Sequence, residues 1–387
     1  MLERLATPRL LALWKKFPAV LILGARQVGK TTLAQMVFPK AAYCDLEEPQ
    51  LRQLFLDDPT FQIEQRQRTE GLILDEAQFV PDCFASLRGI IDRDRKRNGR
   101  FLILGSSHPA LIQHVAESLA GRVAMLDLDP LAVREIGGAD PGVRLPELWL
   151  RGGFPDAFAG EFREWWEAYV RTYVERDLPQ LGLNADPILL RRVLTMIAHC
   201  QAGLQNLSQL GKSLGVSYHT VERYVSLLEH SFLVRRLPPY HRNIGKRLVK
   251  APKIYLRDTG LLHHLLNIST LDELENHPIR GASWETFVSE DLMRRERLAF
   301  PQSQFYFWRT ATGDEIDLVI ERGDQRFAFE MKAGSGKKSD FAAKLANAVK
   351  DTDSVAGWIL DGTREATPLL PNVECRGYLD AWNWLPA

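Results

Sequence analysis

The apolar pattern of this chain changes period several times, and each change marks a change of element. Ala19-Val20-Leu21-Ile22-Leu23 is an unbroken apolar run and predicts a strand buried on both faces; Thr31 to Val37 predicts a helix directly after it. Gly71-Leu72-Ile73-Leu74 and Phe101-Leu102-Ile103-Leu104 predict two more buried strands. From about 147 to 200 the pattern is helical and rich in aromatics, with Trp165, Trp166, Tyr169 and Tyr173 spaced for one helix face, which reads as core packing ahead of base stacking. Asn206 to Leu237 predicts a helix-turn-helix: a short helix through Leu214, a turn at Gly215, and a second helix capped by Ser217 that buries Val221, Tyr224, Val225, Leu227 and Leu228. Phe232-Leu233-Val234 then reads as the strand of a wing. The last third predicts an amphipathic helix from Gly281, strands at 314–320 and 326–332, a buried strand at Gly357-Trp358-Ile359-Leu360, and a tail punctuated by Pro.

Composition narrows the class without choosing a function. At 387 residues the chain is too long for one compact core and predicts two or three domains. Lys+Arg and Asp+Glu balance at 49 each, so only local clustering of charge speaks to a nucleic-acid partner. Cys44, Cys83, Cys200 and Cys375 form no CxxC pair, which argues against a zinc site or disulfide framework and fits a reducing cytoplasm. No apolar run approaches the length of a membrane span, so the expectation is a soluble cytoplasmic protein with no membrane partner.

The loop after the first strand carries the strongest chemistry. Gly24-Ala25-Arg26-Gln27-Val28-Gly29-Lys30-Thr31-Thr32 has the spacing of a phosphate-cradling P-loop. Its glycines let successive N–H groups turn inward on phosphate oxygens, Lys30 reaches the β- and γ-phosphates, and the Thr31 hydroxyl serves Mg²⁺. The expected ligands are ATP and Mg²⁺. The Gly71–Leu74 strand ends in Asp75-Glu76, which gives a metal carboxylate in Asp75 and a base for the attacking water in Glu76. The 101–104 strand ends in Gly105-Ser106-Ser107, where Ser106, with Ser107 close behind, is the expected γ-phosphate sensor. Arg122, in Ser118-Leu119-Ala120-Gly121-Arg122, is either a solvated surface residue or the cation for the developing γ-phosphate charge, in cis or from a neighbouring subunit; Arg26 is a lesser candidate.

Two further constellations lie downstream. At the start of the second helix of the helix-turn-helix, Tyr218, His219, Thr220 and Arg223 stand where a DNA-reading version contacts the major groove. A basic tract follows, Arg235, Arg236, Arg242, Lys246, Arg247, Lys250, Lys253 and Arg257, with no acid between Glu229 and Asp258; it reads as a phosphate-contacting surface or as a solvated face. Near the C-terminus, Asp317 on one strand and Glu330-Met331-Lys332 on the next resemble the metal-dependent core of restriction-type nucleases. Asp317 and Glu330 would hold Mg²⁺, Lys332 would steady the hydroxide or phosphorane charge, and Glu285 would complete or neutralise the site. The Pro usual before that Asp is replaced by Ile316.

Taken together, the P-loop, the Leu-Asp-Glu-Ala strand, the Gly-Ser-Ser strand end, the Ser-Leu-Ala-Gly-Arg segment and Gly152-Gly153-Phe154-Pro155 resemble the bacterial and archaeal AAA-type ATPases that carry a C-terminal domain of unknown function. That resemblance implies an α/β P-loop ATPase domain with a parallel sheet, then a winged helix, then a nuclease-like α/β fold. The expected boundaries are an ATPase domain at 1–146, a helical linker at 147–200, a winged helix at 201–258 and the nuclease-like domain at 259–387. The functional expectation is an Mg²⁺-dependent ATPase acting on DNA as a motor or switch, in a homo-oligomeric ring of which a hexamer is one form. An ATP-regulated nuclease and a scaffold ATPase that binds a protein partner are the alternatives.

Overall fold

In a computed structural model of the chain, residues 2–67, 70–106, 115, 117–136, 141–180, 185–241, 250–311, 313–334, 338–362 and 366–380 are described. They divide into two compact units, Met1–Leu131 with His230–Phe232, and Ala132–Glu229 with Leu233–Ala387. The boundary expected at 146 falls inside the helix Pro141–Arg151 of the second unit.

The first unit is an α/β fold built on one parallel sheet. Its strands β1 (Ala19–Gly24), β2 (Ala42–Asp45), β3 (Leu72–Asp75), β4 (Phe101–Ser106) and β5 (Val123–Asp127) pair in the order β2-β3-β4-β1-β5, every pair parallel. All six residues of β1 are buried, as its unbroken apolar run requires of a central strand flanked on both edges and covered on both faces. Leu21, Leu74, Ile103 and Phe101 share one core with Phe84, Leu87 and Ile91 of the helix Asp82–Arg93. Because the strands are parallel, their C-terminal ends collect Gly24, Asp75 and Ser106 along one rim, where ligands bind open sheets of this kind.

The second unit contains two sheets. A small antiparallel one has the order β6-β8-β7, from β6 (Gly203–Leu204), β7 (Val234–Leu237) and β8 (Lys253–Leu256). Two helices precede β7, Leu207–Leu214 and Tyr218–His230. Asn206 accepts from the Gln209 N–H at 3.0 Å, and Ser217 Oγ accepts from the Thr220 N–H at 3.1 Å. Gly215 turns the chain between them at φ 72°, a left-handed conformation that suits glycine. All five apolar residues expected on the inner face of the second helix are buried.

The large sheet is mixed, in the order β13-β14-β12-β11-β10-β9, from β9 (Gln304–Arg309), β10 (Glu315–Arg322), β11 (Gln325–Met331), β12 (Ala356–Asp361), β13 (Thr367–Leu370) and β14 (Val373–Gly377). β9, β10 and β11 run antiparallel; β11 and β12 are parallel, joined by the helix Lys338–Thr352 as a parallel pair demands. The β9–β10 register slips between Ile316 and Val319, a bulge at Asp317 and Leu318.

Elsewhere in this unit the aromatics act as core. Trp166 and Phe154 are buried edge to face with centroids 4.9 Å apart, and Trp165 stacks on Tyr169 at 5.1 Å. The Gly152-Gly153 pair has a packing reason: Gly152 sits at φ 81°, and a Cβ there would lie 1.9 Å from Asp258 Oδ1. The buried Asp258 carboxylate accepts from the N–H groups of Gly153, Gly260 and Leu261. Among the described residues no helix is long and apolar enough to cross a membrane.

Candidate functional site

The loop from Ala25 to Gly29 is built by two left-handed residues and one close approach. Gln27 has φ 63° and Gly29 φ 96°, which turns the backbone into the N-terminus of the helix Lys30–Val37. Gly24 leaves no room for a side chain: a Cβ would lie 2.4 Å from Leu128 O. Arg4, buried, donates to Val28 O at 3.0 Å and to Asp129 O at 2.5 Å, which braces the loop from outside. Lys30 is 6% exposed, and its ammonium donates to Gly24 O at 3.1 Å and Ala25 O at 2.9 Å. Burial lowers the Lys30 pKa, against the pull of Glu76 and Asp75. Arg26 reaches outward to Glu47 at 3.4 Å, and Thr32 is exposed on the first helical turn.

Asp75 gathers donors from three elements. Its Oδ2 accepts from the Thr31 hydroxyl at 2.6 Å and the Tyr43 hydroxyl at 3.0 Å, while Oδ1 accepts from the Glu76 N–H. Tyr43, on β2, carried no sequence signal for this role. Glu76 sits at φ 50°, a left-handed conformation uncommon for a residue with a side chain, and Gln78 Nε2 donates to its Oε2. Burial pushes the Glu76 carboxyl up, partly offset by Lys30 and the Gln78 hydrogen bond; a raised carboxyl suits a base. A hydroxyl and a carboxylate within 2.6 Å of each other, beside a backbone cradle with a lysine, are a donor set that fits Mg²⁺ and a polyphosphate.

The remaining residues expected at this site divide. The register pairs Ser106 with Gly24, so the Ser106 backbone lies beside the start of the loop; Ser107 lies outside the described residues. Arg122 stands at the other end of β1, where its carbonyl accepts from the Ala19 N–H. Six strand residues, roughly 17 Å at about 3.3 Å each, separate it from Gly24, more than an arginine side chain spans. Its guanidinium is forked on Asp92, with both contacts at 2.8 Å. An in-cis role for Arg122 at its own chain's phosphate site does not fit this geometry.

Of the residues expected to meet DNA, Tyr218, His219 and Arg223 are exposed and Thr220 is half-buried at the start of the second helix. Arg242, Lys246 and Arg247 lie outside the described residues. The rest of the basic tract is largely turned inward, a correction to its reading as a surface. Arg235 and Arg257 both pair with the buried Glu290, and Arg236 pairs with Glu222 and Glu229. Burial by itself would raise the Glu290 carboxyl, but the two arginines hold it far below the usual range. Lys250 remains exposed.

Lys253 is the largest departure, for it is 1% exposed and lies among carboxylates of the second unit. Its ammonium is 2.8 Å from Glu285 Oε1 and 3.4 Å from Asp317 Oδ1, and it also pairs with Glu315. Tyr255 donates to Glu285 at 2.7 Å, Asp317 Oδ2 accepts from the Met331 N–H at 2.9 Å, and Lys332 pairs with Glu330 at 2.5 Å. Glu285 and Asp317 thus meet through Lys253, and Glu330 meets Lys332. Burial and the neighbouring Asp317 raise Glu330 to about 8 and Glu285 to about 7. Among the described residues, no three His, Cys, Asp or Glu side chains are arranged to hold a metal ion together.

Comparisons with known proteins match the chain in three stretches. The model of an AAA domain matches residues 16–137, and two domains of unknown function, DUF8612 and DUF4143, match 143–272 and 280–375. An uncharacterised protein of Mycobacterium tuberculosis is 42% identical over 340 residues, covering 86% of this chain and 74% of its own. Among solved structures, the Walker-type ATPase of Pyrococcus abyssi overlaps with a TM-score of 0.45 at 16% identity, covering 69% of this chain and 96% of that one. The Holliday junction branch migration motor of Thermotoga maritima overlaps with a TM-score of 0.35 at 16% identity, over 61% and 90%.

Proposed function

The chain belongs to the AAA-type ATPases that carry a C-terminal domain of unknown function, and on that premise we propose that it hydrolyses ATP with Mg²⁺ and uses the cycle to act on DNA as a motor or switch. The observation that carries the reading is the 2.6 Å contact between Thr31 and Asp75 at the mouth of the Lys30 loop. Bound Mg²⁺ would neutralise charge on the phosphates and the leaving group. Thr31 and Asp75 are the residues to hold it, and Tyr43 orients the Asp75 carboxylate. The loop N–H groups and Lys30 bind the phosphates, which requires the ammonium to leave the carbonyls of Gly24 and Ala25. Glu76, held by Gln78, takes the proton of the attacking water. A cation from a neighbouring subunit completes the site in an oligomeric ring; Arg122 serves in that role only if it leaves Asp92.

The DNA half of the reading assigns residues 201–258 to a winged helix and 259–387 to a nuclease-like domain. Exposed Tyr218, His219 and Arg223 at the start of a helix support it, since that end faces the major groove in readers of this kind. The measurement is ATP turnover with Mg²⁺ against single strands, duplexes, forks and four-way junctions. Turnover that rises with DNA and vanishes in Lys30→Ala is the expected outcome. Mg²⁺-dependent turnover without any DNA binding at low salt, where phosphate contacts are strongest, would remove DNA and leave a protein-binding ATPase.

A second reading is an ATP-regulated nuclease, favoured by the meeting of Asp317, Glu330 and Lys332 in one buried cluster. Scoring the same DNAs for metal-dependent cuts tests it; cutting that persists in Asp317→Ala places the activity elsewhere.

A further inference from the structure

The cluster of the second unit brings four carboxyl groups together with three cationic side chains. Glu285, Glu315, Asp317 and Glu330 face Lys253, Lys332 and Arg309. Glu330 is 7% exposed: Oε1 pairs with Lys332, but the buried Oε2 has no hydrogen-bond partner among the described residues. Asp317, which meets Lys253 through Oδ1, accepts through Oδ2 from the N–H of Met331, the residue after Glu330, so the orphaned oxygen belongs to the same cluster. A buried carboxylate oxygen without a donor is costly, and it is the kind of group a cation satisfies.

One cation is already there. Lys253 comes from β8 and is buried against the Phe307 ring at 5.7 Å, with its ammonium bridging Glu285, Glu315 and Asp317. Asp317 is presented to it by the bulge in β10, where Phe307 of β9 instead accepts from the Tyr240 N–H at 2.6 Å. An ammonium bridging three carboxylates competes with a divalent ion for these oxygens: the two cations repel each other and draw on the same lone pairs.

We propose that Lys253 is the resident cation of this cluster and excludes divalent metal from it, so that Lys253 determines which cation the Asp317–Glu330 site takes. This rests on reading the cluster as a cation site. In the arrangement described, the Lys253 ammonium occupies oxygens of Glu285, Glu315 and Asp317, and displacement of its side chain is what converts the cluster into a metal site. Lys253 thus acts on the nuclease-like site as a gate, and its acidic partners are the ligands it withholds.

The test measures Mn²⁺ binding to the full, nucleotide-free chain by electron paramagnetic resonance and calorimetry. It uses four proteins: wild type, Asp317→Asn, Lys253→Met and the double variant. The expected result is that Asp317→Asn leaves Mn²⁺ binding of the wild type unchanged, whereas Lys253→Met gains one ion per chain that the double variant loses. The difference made by Asp317→Asn excludes any Mn²⁺ held at Thr31 and Asp75. An Asp317-dependent ion in the wild type overturns exclusion by Lys253 while leaving the cluster a cation site. A folded Lys253→Met that gains no ion sinks the cluster as a cation site altogether. Lys253→Gln, which keeps a hydrogen-bond donor without charge, replaces Lys253→Met if that variant does not fold, and the comparison of wild type with Asp317→Asn decides exclusion without either.

Discussion

The Thr31 hydroxyl donates to Asp75 Oδ2 across 2.6 Å, joining the first turn of the P-loop helix to the end of β3. These two side chains are 44 residues apart in sequence, and parallel pairing of β1, β4 and β3 is what brings their strand ends to one rim. Asp75→Asn puts an amide N–H₂ where donors already converge from Thr31, Tyr43 and the Glu76 N–H. Turnover is expected to fall by on the order of 100-fold or more, with the Mg²⁺ requirement moved to higher concentration. A phosphate-release assay across a Mg²⁺ titration reads both, and an unchanged profile would remove Asp75 from the metal site.

Glu76→Gln keeps the shape of the side chain and removes the base. ATP binding, measured by calorimetry, is expected to be retained, while turnover falls by roughly 100- to 10,000-fold, the range for loss of a general base. Equal losses in binding and turnover would instead make Glu76 a structural residue of the turn at φ 50°.

Gly152→Ala tests the seat of Asp258. The new methyl would meet Asp258 Oδ1 at 1.9 Å from a left-handed backbone position, and the carboxylate cannot retreat without leaving the N–H groups of Gly153, Gly260 and Leu261. The expected loss is about 2 kcal/mol or more of stability, read by denaturant unfolding followed on the second unit's tryptophans. A loss within experimental error would show that Asp258 has room to move.

His263 gives the second unit a pH dependence. It is fully buried, with Nδ1 2.8 Å from Leu150 O and Nε2 2.7 Å from Ser283 Oγ, which in turn accepts from Trp149 Nε1. Burial lowers its pKa from 6.5 to about 4. Between those values the unfolded chain binds the proton and the folded one does not. The stabilisation is therefore complete above pH 6.5 and is lost as pH falls to about 4, an effect of about 3 kcal/mol. Thermal unfolding from pH 7.5 to 4.5 should show the loss, and His263→Gln should flatten it; equal slopes would assign the effect to other groups.

Local patterns carried far in this chain. The P-loop, the Asp75-Glu76 strand end, the caps at Asn206 and Ser217 and the turn at Gly215 depend on residues within a few positions of one another, so the sequence displays them directly. Strand alternation likewise put Glu330 and Lys332 on one face, where they pair. Tyr43 and Arg4 at the nucleotide site were not legible, because their partners Asp75 and Asp129 lie 32 and 125 residues away.

The basic tract separates the two kinds of information. Sequence determined that Arg235, Arg236, Lys253 and Arg257 stand in a segment without acids, and by itself that composition reads as a surface awaiting phosphate. Tertiary structure decided their partners: Glu222 and Glu229 from the preceding helix, Glu285 and Glu290 from a helix further along, and Asp317 from a strand beyond that. The physical reason is that charge acts through space. A segment's own composition fixes how much charge it carries, whereas the fold fixes whether that charge meets solvent or a buried carboxylate.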